Sequence, residues 1–200
     1  MKKKLILVLF TLLFSQLSYS QFKFGTKAGV NLSNIEQQDL ESNTLVGFHA
    51  GVIAEIPWGK RLYFATEILY SQQGYREERK NINEENIDDI ITEFGYLQAP
   101  FILKYRVIEG LNIQVGPQMG LLVSAITREE TQKQDNKYLY LDFEYGAIFG
   151  LGYKFYPGVF VQARYNLGFG EIYDKEKIEN LGIGQTANNR VIQFSVGYMF

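Results

Sequence analysis

The stretch "FEYGAIFGLGYKF", residues 143–155, reads as two interleaved series. Phe143, Tyr145, Ala147, Phe149, Leu151, Tyr153 and Phe155 form one, and Glu144, Gly146, Ile148, Gly150, Gly152 and Lys154 form the other. A period of two predicts a β-strand, because successive side chains point to opposite faces of a sheet. It leaves open which face is inside. An aromatic face turned into a core makes a soluble β-protein, whereas an aromatic face turned outward requires an apolar medium around the molecule.

The same alternation marks eight segments, approximately 22–32, 45–58, 62–73, 93–107, 111–125, 138–155, 159–172 and 190–200. "GK", "IEG" and "PG" join the second to the third, the fourth to the fifth and the sixth to the seventh, and each is a tight hairpin signal. The other four connections are long and polar, among them "YREERKNINEENIDDIIT" and "ITREETQKQDN". Short and long connections alternate, which in an up-and-down meander puts every short turn and both termini at one end. Transmembrane barrels of the outer-membrane type have this asymmetry, with short periplasmic turns and long external loops.

The glycines identify the inner face. On the first segment Lys23, Gly25, Lys27, Gly29 and Asn31 oppose Phe22, Phe24, Ala28, Val30 and Leu32. On the second, Gly47, His49, Gly51, Ile53 and Glu55 oppose Val46, Phe48, Ala50, Val52, Ala54, Ile56 and Trp58. Gly116 and Gly120, Gly168 and Gly170, and Gly197 keep the same company of Gln, Arg, Asn and Ser; Gly95 alone breaks the pattern. A solvated sheet surface has no reason to collect glycine, which weakens strands. The interior of a closed barrel of about eight strands does, because it is only just wide enough for its side chains. The polar, glycine-rich series is therefore expected inside and the aromatic series outside, against lipid. A lipocalin-like barrel is the competing architecture and reverses the faces. The fold class expected is all-β: an eight-stranded antiparallel up-and-down transmembrane β-barrel. Two aromatic girdles are expected at headgroup level. Trp58, Tyr105, Phe155, Tyr156, Tyr198 and Phe200 lie towards the short turns, and Phe48, Tyr70, Tyr96, Tyr138, Tyr140, Phe169 and Tyr173 towards the long loops.

The N-terminus fits that destination. Lys2, Lys3 and Lys4 precede an apolar run from Leu5 to Phe14, and Ser18 and Ser20 stand at the minus-three and minus-one positions of a cleavage before Gln21. Residues 1–20 are thus expected to be a signal peptide and residues 21–200 one barrel domain. No Cys is present, which excludes disulfides, Cys-based chemistry and a lipid-modified N-terminal Cys. Of 20 Lys and Arg, three lie in the leader, leaving 17 against 22 Asp and Glu. A mildly acidic chain is a poor match for nucleic acid, and no such partner is expected.

"FKFGTKAGVNLSNI", "TEILYSQQGY", "YLQAPFILKYR", "VGPQMGLLVSA" and the terminal "FSVGYMF" span the mature chain. On these stretches the chain resembles the PorT-like outer-membrane β-barrels of Gram-negative bacteria. Gln98 stands where family members often carry an acidic residue. The resemblance implies an integral outer-membrane location, partnership with outer-membrane lipid, and recognition of a terminal aromatic, Phe200, by the outer-membrane assembly machinery. One branch of that family resembles components needed for type IX protein secretion, which implies secretion or envelope proteins as partners.

Candidates for chemistry are few. His49, the one histidine, is a formal candidate for a general base with Ser124 and Glu144 or Asp142, as in a lipid hydrolase built on a small barrel; a hydrogen-bonded interior residue is the alternative. Glu84, Glu85, Asp88 and Asp89 are candidate cation ligands on a loop that lacks the spaced acids and glycine of an EF-hand. No phosphate-binding glycine loop or zinc signature occurs, and no cofactor is expected. The inward charges form the main constellation: Lys27, Glu55, Glu67 and Lys104 on four successive strands, with Arg106, Asp142, Glu144, Lys154 and Arg164. Unpaired charges in a dry interior are costly, so the two signs are expected to interleave in a network that fills the lumen. The function expected is non-enzymatic, a structural or interaction role, with a narrow channel and a lipid-modifying enzyme as alternatives.

Overall fold

The computed structural model describes residues 22–37, 42–80, 87–129, 132–170 and 187–200. The expected signal peptide, with Ser20 and Gln21, lies outside them, as does Tyr173. The strands are β1 (Lys23–Gln37), β2 (Ser42–Trp58), β3 (Leu62–Lys80), β4 (Ile87–Arg106), β5 (Leu111–Glu129), β6 (Gln132–Asp135), β7 (Phe143–Lys154), β8 (Val159–Gly168) and β9 (Ala187–Met199). Each of the eight long strands pairs antiparallel with its neighbours, in the order β4-β3-β2-β1-β9-β8-β7-β5, and β4–β5 pairing completes the ring. β6 is not a stave: it pairs only with the outer end of β5, Ile126 to Glu129. Closure joins the two ends of the chain, with β1 against β9 from Gly25 opposite Met199 to Gln37 opposite Ala187. The Phe200 N–H donates to the Phe24 carbonyl at 2.8 Å, extending this seam to the last residue.

The tight turns fall where the sequence predicts them, with Gly59 and Gly110 in the left-handed region at φ of 75° and 82°. The long connections differ from the sequence reading. β3 runs on to Lys80 and β4 starts at Ile87, so much of the expected polar loop is a paired ribbon, with Glu77 opposite Ile90 and Arg79 opposite Asp88. β5 likewise continues to Glu129. A ribbon that stands clear of the membrane needs no apolar face, so its sequence shows no two-residue alternation of polarity and reads as loop. β7 conversely begins at Phe143, not Tyr138. Residues Lys137–Leu139 form a 3-10 turn, held by Leu139 N–H to Asn136 O at 3.0 Å and Tyr140 N–H to Lys137 O at 3.1 Å.

The polar series is inside. Lys27, Asn31, His49, Glu67, Ser71, Gln98 and Arg164 are buried, while their neighbours Val30, Phe48, Val52, Ile68, Leu97 and Tyr165 are exposed. The exposed apolar residues recur on every stave as one continuous band, far beyond the patches a soluble monomer carries. Lipid is the medium that makes this surface stable.

Gly95 lies on the outward series, and a Cβ there would meet the Tyr70 hydroxyl at 2.8 Å, so the missing side chain admits the Tyr70 ring. Opposite it, β5 carries one residue more than β4, with Leu122 facing Tyr96 and Ser124 facing Gly95. Such a bulge bends the strand and re-aims side chains; beyond it Ala125 is buried. Tyr96 shares the parity of Gln98 and points inward, and Tyr140 is also buried, so neither belongs to the expected outer girdle. They join Ile35, Tyr75, Phe94, Leu122 and Ala125 in an apolar cluster that closes the outer end of the lumen, with the Tyr140 ring edge-on to Phe94 at 4.8 Å.

Candidate functional site

The centre of the lumen is built around Glu67 on β3. Arg164, across the barrel on β8, grips it with both terminal nitrogens at 2.8 Å, and Lys27 Nζ on β1 lies 2.8 Å from Oε2. All three side chains are fully shielded. The guanidinium is spoken for on its other edge too, donating from Nε to Gln114 Oε1 at 2.9 Å and from Nη2 to Gln162 Oε1 at 3.1 Å. Paired glycine makes this fit: Gly150 faces Arg164 across β7–β8, and a Cβ on it would lie 2.7 Å from Arg164 Cγ. Below, towards the short turns, Lys104 Nζ donates to Glu55 Oε2 at 2.9 Å.

Above the charges sits a neutral network centred on Asn31. Its Nδ2 donates to the Gln72 carbonyl at 2.7 Å and to Ser71 Oγ at 3.0 Å, which fixes the amide orientation and leaves Oδ1 as acceptor. Oδ1 then accepts from Gln193 Nε2 at 3.1 Å and from His49 Nδ1–H at 2.7 Å. His49 is therefore the Nδ1–H tautomer, and its Nε2 accepts the Ser195 hydroxyl at 2.7 Å. Ser195, His49 and Asn31 have the order of a nucleophile, base and orienting group. All three are buried, and a Cβ on Gly29 would fall 2.7 Å from His49 Cε1, so the ring is roofed by backbone. In this setting the hydrogen bonds hold strands β1, β2 and β9 together. Ser195→Ala is expected to cost about 1–2 kcal/mol by leaving the imidazole nitrogen unsatisfied, read as a lowered urea midpoint of the detergent-solubilised barrel.

Of the expected inward charges, Lys27, Glu67 and Arg164 meet at one point and Glu55 and Lys104 at another. Arg106 and Lys154 lie at the rim of the short-turn end, the former exposed and the latter half-buried. Glu144 is buried beside Gly120, Gly168 and Asn189, and its Oε2 accepts no hydrogen bond from the described residues. Asp142 is a correction: the late start of β7 leaves it outside the lumen, 71% exposed and 3.4 Å from Lys137 Nζ. Neither Ser124, Asp142 nor Glu144 partners His49. Among the described residues no group of three or more His, Cys, Asp or Glu could hold a metal. Glu84 and Glu85, and the side chains of Asp88 and Asp89, lie outside those described. The residues that sequence reasoning had not assigned a role, Asn31, Gln114, Gln162, Gln193 and Ser195, all stand on the predicted inner series; register was the information missing.

Two solved structures share this architecture. Neisserial surface protein A (NspA) superimposes with a TM-score of 0.58 at 14% identity, over 88% of this chain and 97% of that one. Ail, the attachment invasion locus protein of Yersinia pestis, gives 0.51 at 13% identity, over 90% and 99%. These likenesses concern the fold. No curated protein matches the chain. The family model for the outer membrane protein beta-barrel domain matches residues 14–174, most of the chain. With an apolar exterior, a polar interior and complete ring closure, the chain is an integral outer-membrane protein and belongs to the outer membrane protein beta-barrel domain family.

Proposed function

We propose that the protein acts without catalysis, as a closed membrane anchor whose outer ribbons and short-turn rim engage other envelope proteins. The observation that carries this is the double obstruction of the lumen. The Lys27–Glu67–Arg164 cluster with Gln114 and Gln162 spans its middle, and the Phe94–Tyr96–Tyr140 cluster closes its outer end. The bonds of the first are charge-assisted and shielded, so opening a path for solute means separating buried ions. The PorT-like resemblance supports, as the class of partner, an accessory position in type IX protein secretion or another envelope complex. The occluded setting of His49 supports the non-enzymatic reading.

Affinity purification of the tagged protein from outer membranes in mild detergent tests the partnership. Co-purification of secretion-system or envelope subunits in fixed ratio is expected; recovery of the barrel alone would remove the reading. In planar bilayers the purified protein is expected to give no discrete conductance steps, and reproducible steps would favour a narrow channel. Replacement of His49 by Ala is expected to leave lipid A composition unchanged.

A further inference from the structure

The inner end of the lumen is not filled. A vestibule of about 500 Å³ opens there among the short turns. Its walls carry four cationic side chains, Lys23, Lys104, Arg106 and Lys154, against two carboxylates, Glu55 and Glu109. Glu55 is engaged by Lys104 at 2.9 Å, and Glu109 stands on the exposed turn after β4. Positive charge is thus left over inside the mouth, on Lys23, Arg106 and Lys154.

The pairing register explains why these groups converge. Lys23 on β1 faces Glu55 on β2, Tyr63 on β3 faces Lys104 on β4, and Arg106 faces Asn112 on β5, which in turn faces Gly152 on β7, two residues before Lys154. Staves β1, β4 and β7, none adjacent to another in the ring, therefore point cations at one space from different sides. Lys154 lies in the field of Glu55, Lys23 and Lys104 together. Arg106 is held in place, its guanidinium donating to the Lys60 carbonyl and resting 5.7 Å from the centre of the Tyr63 ring. The central cations need Glu67 to offset them; among the described residues lining the vestibule, Glu109 on the exposed turn is the carboxylate left to do so for Lys23, Arg106 and Lys154.

We propose that the periplasmic vestibule is a binding site for a phosphate group. A tetrahedral oxyanion offers acceptor oxygens in several directions and matches donors arriving from β1, β4 and β7, whereas a planar carboxylate would meet only part of the set. The site opens at the inner membrane surface, so a phospholipid headgroup of the inner leaflet and a free periplasmic phosphate share the required chemistry. The inference does not depend on the anchor reading above.

The test uses the full barrel in a non-ionic detergent, titrated by calorimetry with inorganic phosphate and, separately, with short-chain phosphatidylglycerol below its micellar concentration. Saturable binding of inorganic phosphate identifies a free phosphate as sufficient; binding of the lipid alone identifies the headgroup. Lys23→Gln with Lys154→Gln is expected to weaken either by about tenfold, with folding checked by gel mobility before and after heating. Glu109→Gln, a rim substitution that leaves every stave intact, is expected to strengthen binding about twofold, and added salt to weaken it. No saturable binding of either probe, or equal affinity in the parent and both variants, would overturn the proposal.

Discussion

Glu67→Ala is expected to lower the unfolding free energy of the barrel by about 3–5 kcal/mol, the range found when one partner is removed from a buried ion pair. The reason is the stoichiometry of the site. One carboxylate serves two cations, Lys27 at 2.8 Å and Arg164 through two bonds of 2.8 Å, and none of the three side chains touches solvent. Deleting the carboxylate strands two like charges in the lumen, where their mutual repulsion adds to their lost hydration. Gln114 and Gln162 still bond Arg164, but Lys27 Nζ makes no other hydrogen bond among the described residues, so the lysine carries most of the penalty. A second substitution separates this account from a packing defect. Adding Lys27→Met to the Glu67→Ala background removes one stranded charge while keeping a side chain of similar length, and is expected to recover part of the lost stability. Urea unfolding in detergent, followed by tryptophan emission of Trp58 and by gel mobility, reads both. Equal midpoints for Glu67→Ala and the parent would refute the pairing; a double variant no better than the single would assign the loss to packing.

The fold was legible in the sequence because a small transmembrane barrel imposes two constraints at once on every stave. One face must suit lipid and the other must fit a narrow lumen, and Gly29, Gly51, Gly150 and Gly197 record the second as clearly as Phe48 and Phe149 record the first. Where only one constraint acts the signal fades. The ribbons of β3 and β4 above the membrane have no lipid face, so residues 74–80 read as loop although they pair in register with β4. Tyr96 and Tyr140 illustrate a different loss. An aromatic near the outer end suits a headgroup girdle or a plug equally well, and only the parity shared with Gln98, and the 3-10 turn before Tyr140, bring them inward. The charge network lies between these cases. Its members were readable from parity, but which carboxylate met which cation depended on stagger between strands that are not neighbours in the ring, such as β3 and β8.

Gly51→Val is expected to abolish assembly of a folded barrel, while Ala50→Val next to it is expected to be accepted. Gly51 lies between Lys27 on β1 and Leu69 on β3, on the inward face. A Cβ there would stand 2.8 Å from Leu69 Cα and 2.9 Å from the Ile68 carbonyl carbon, and would also contact the Ile68 oxygen. These are backbone atoms of the adjacent stave, so no rotamer change relieves them; β2 and β3 must separate, and a closed ring has no free edge to absorb the shift. Overpacking relieved by side-chain movement costs about 1–3 kcal/mol, and an obstacle made of backbone exceeds that range. Ala50 points the other way, exposed to the surrounding medium opposite Ala28 and Tyr70, where two added methyl groups meet lipid. The two variants carry the same new side chain one residue apart, and the face it enters is the main difference between them. Outer-membrane fractions probed for the heat-modifiable folded band measure the outcome. A folded band for Ala50→Val and none for Gly51→Val is the pattern a lipid-facing aromatic surface demands. The reverse pattern would put the glycine series on the lipid face and the aromatic series in the lumen.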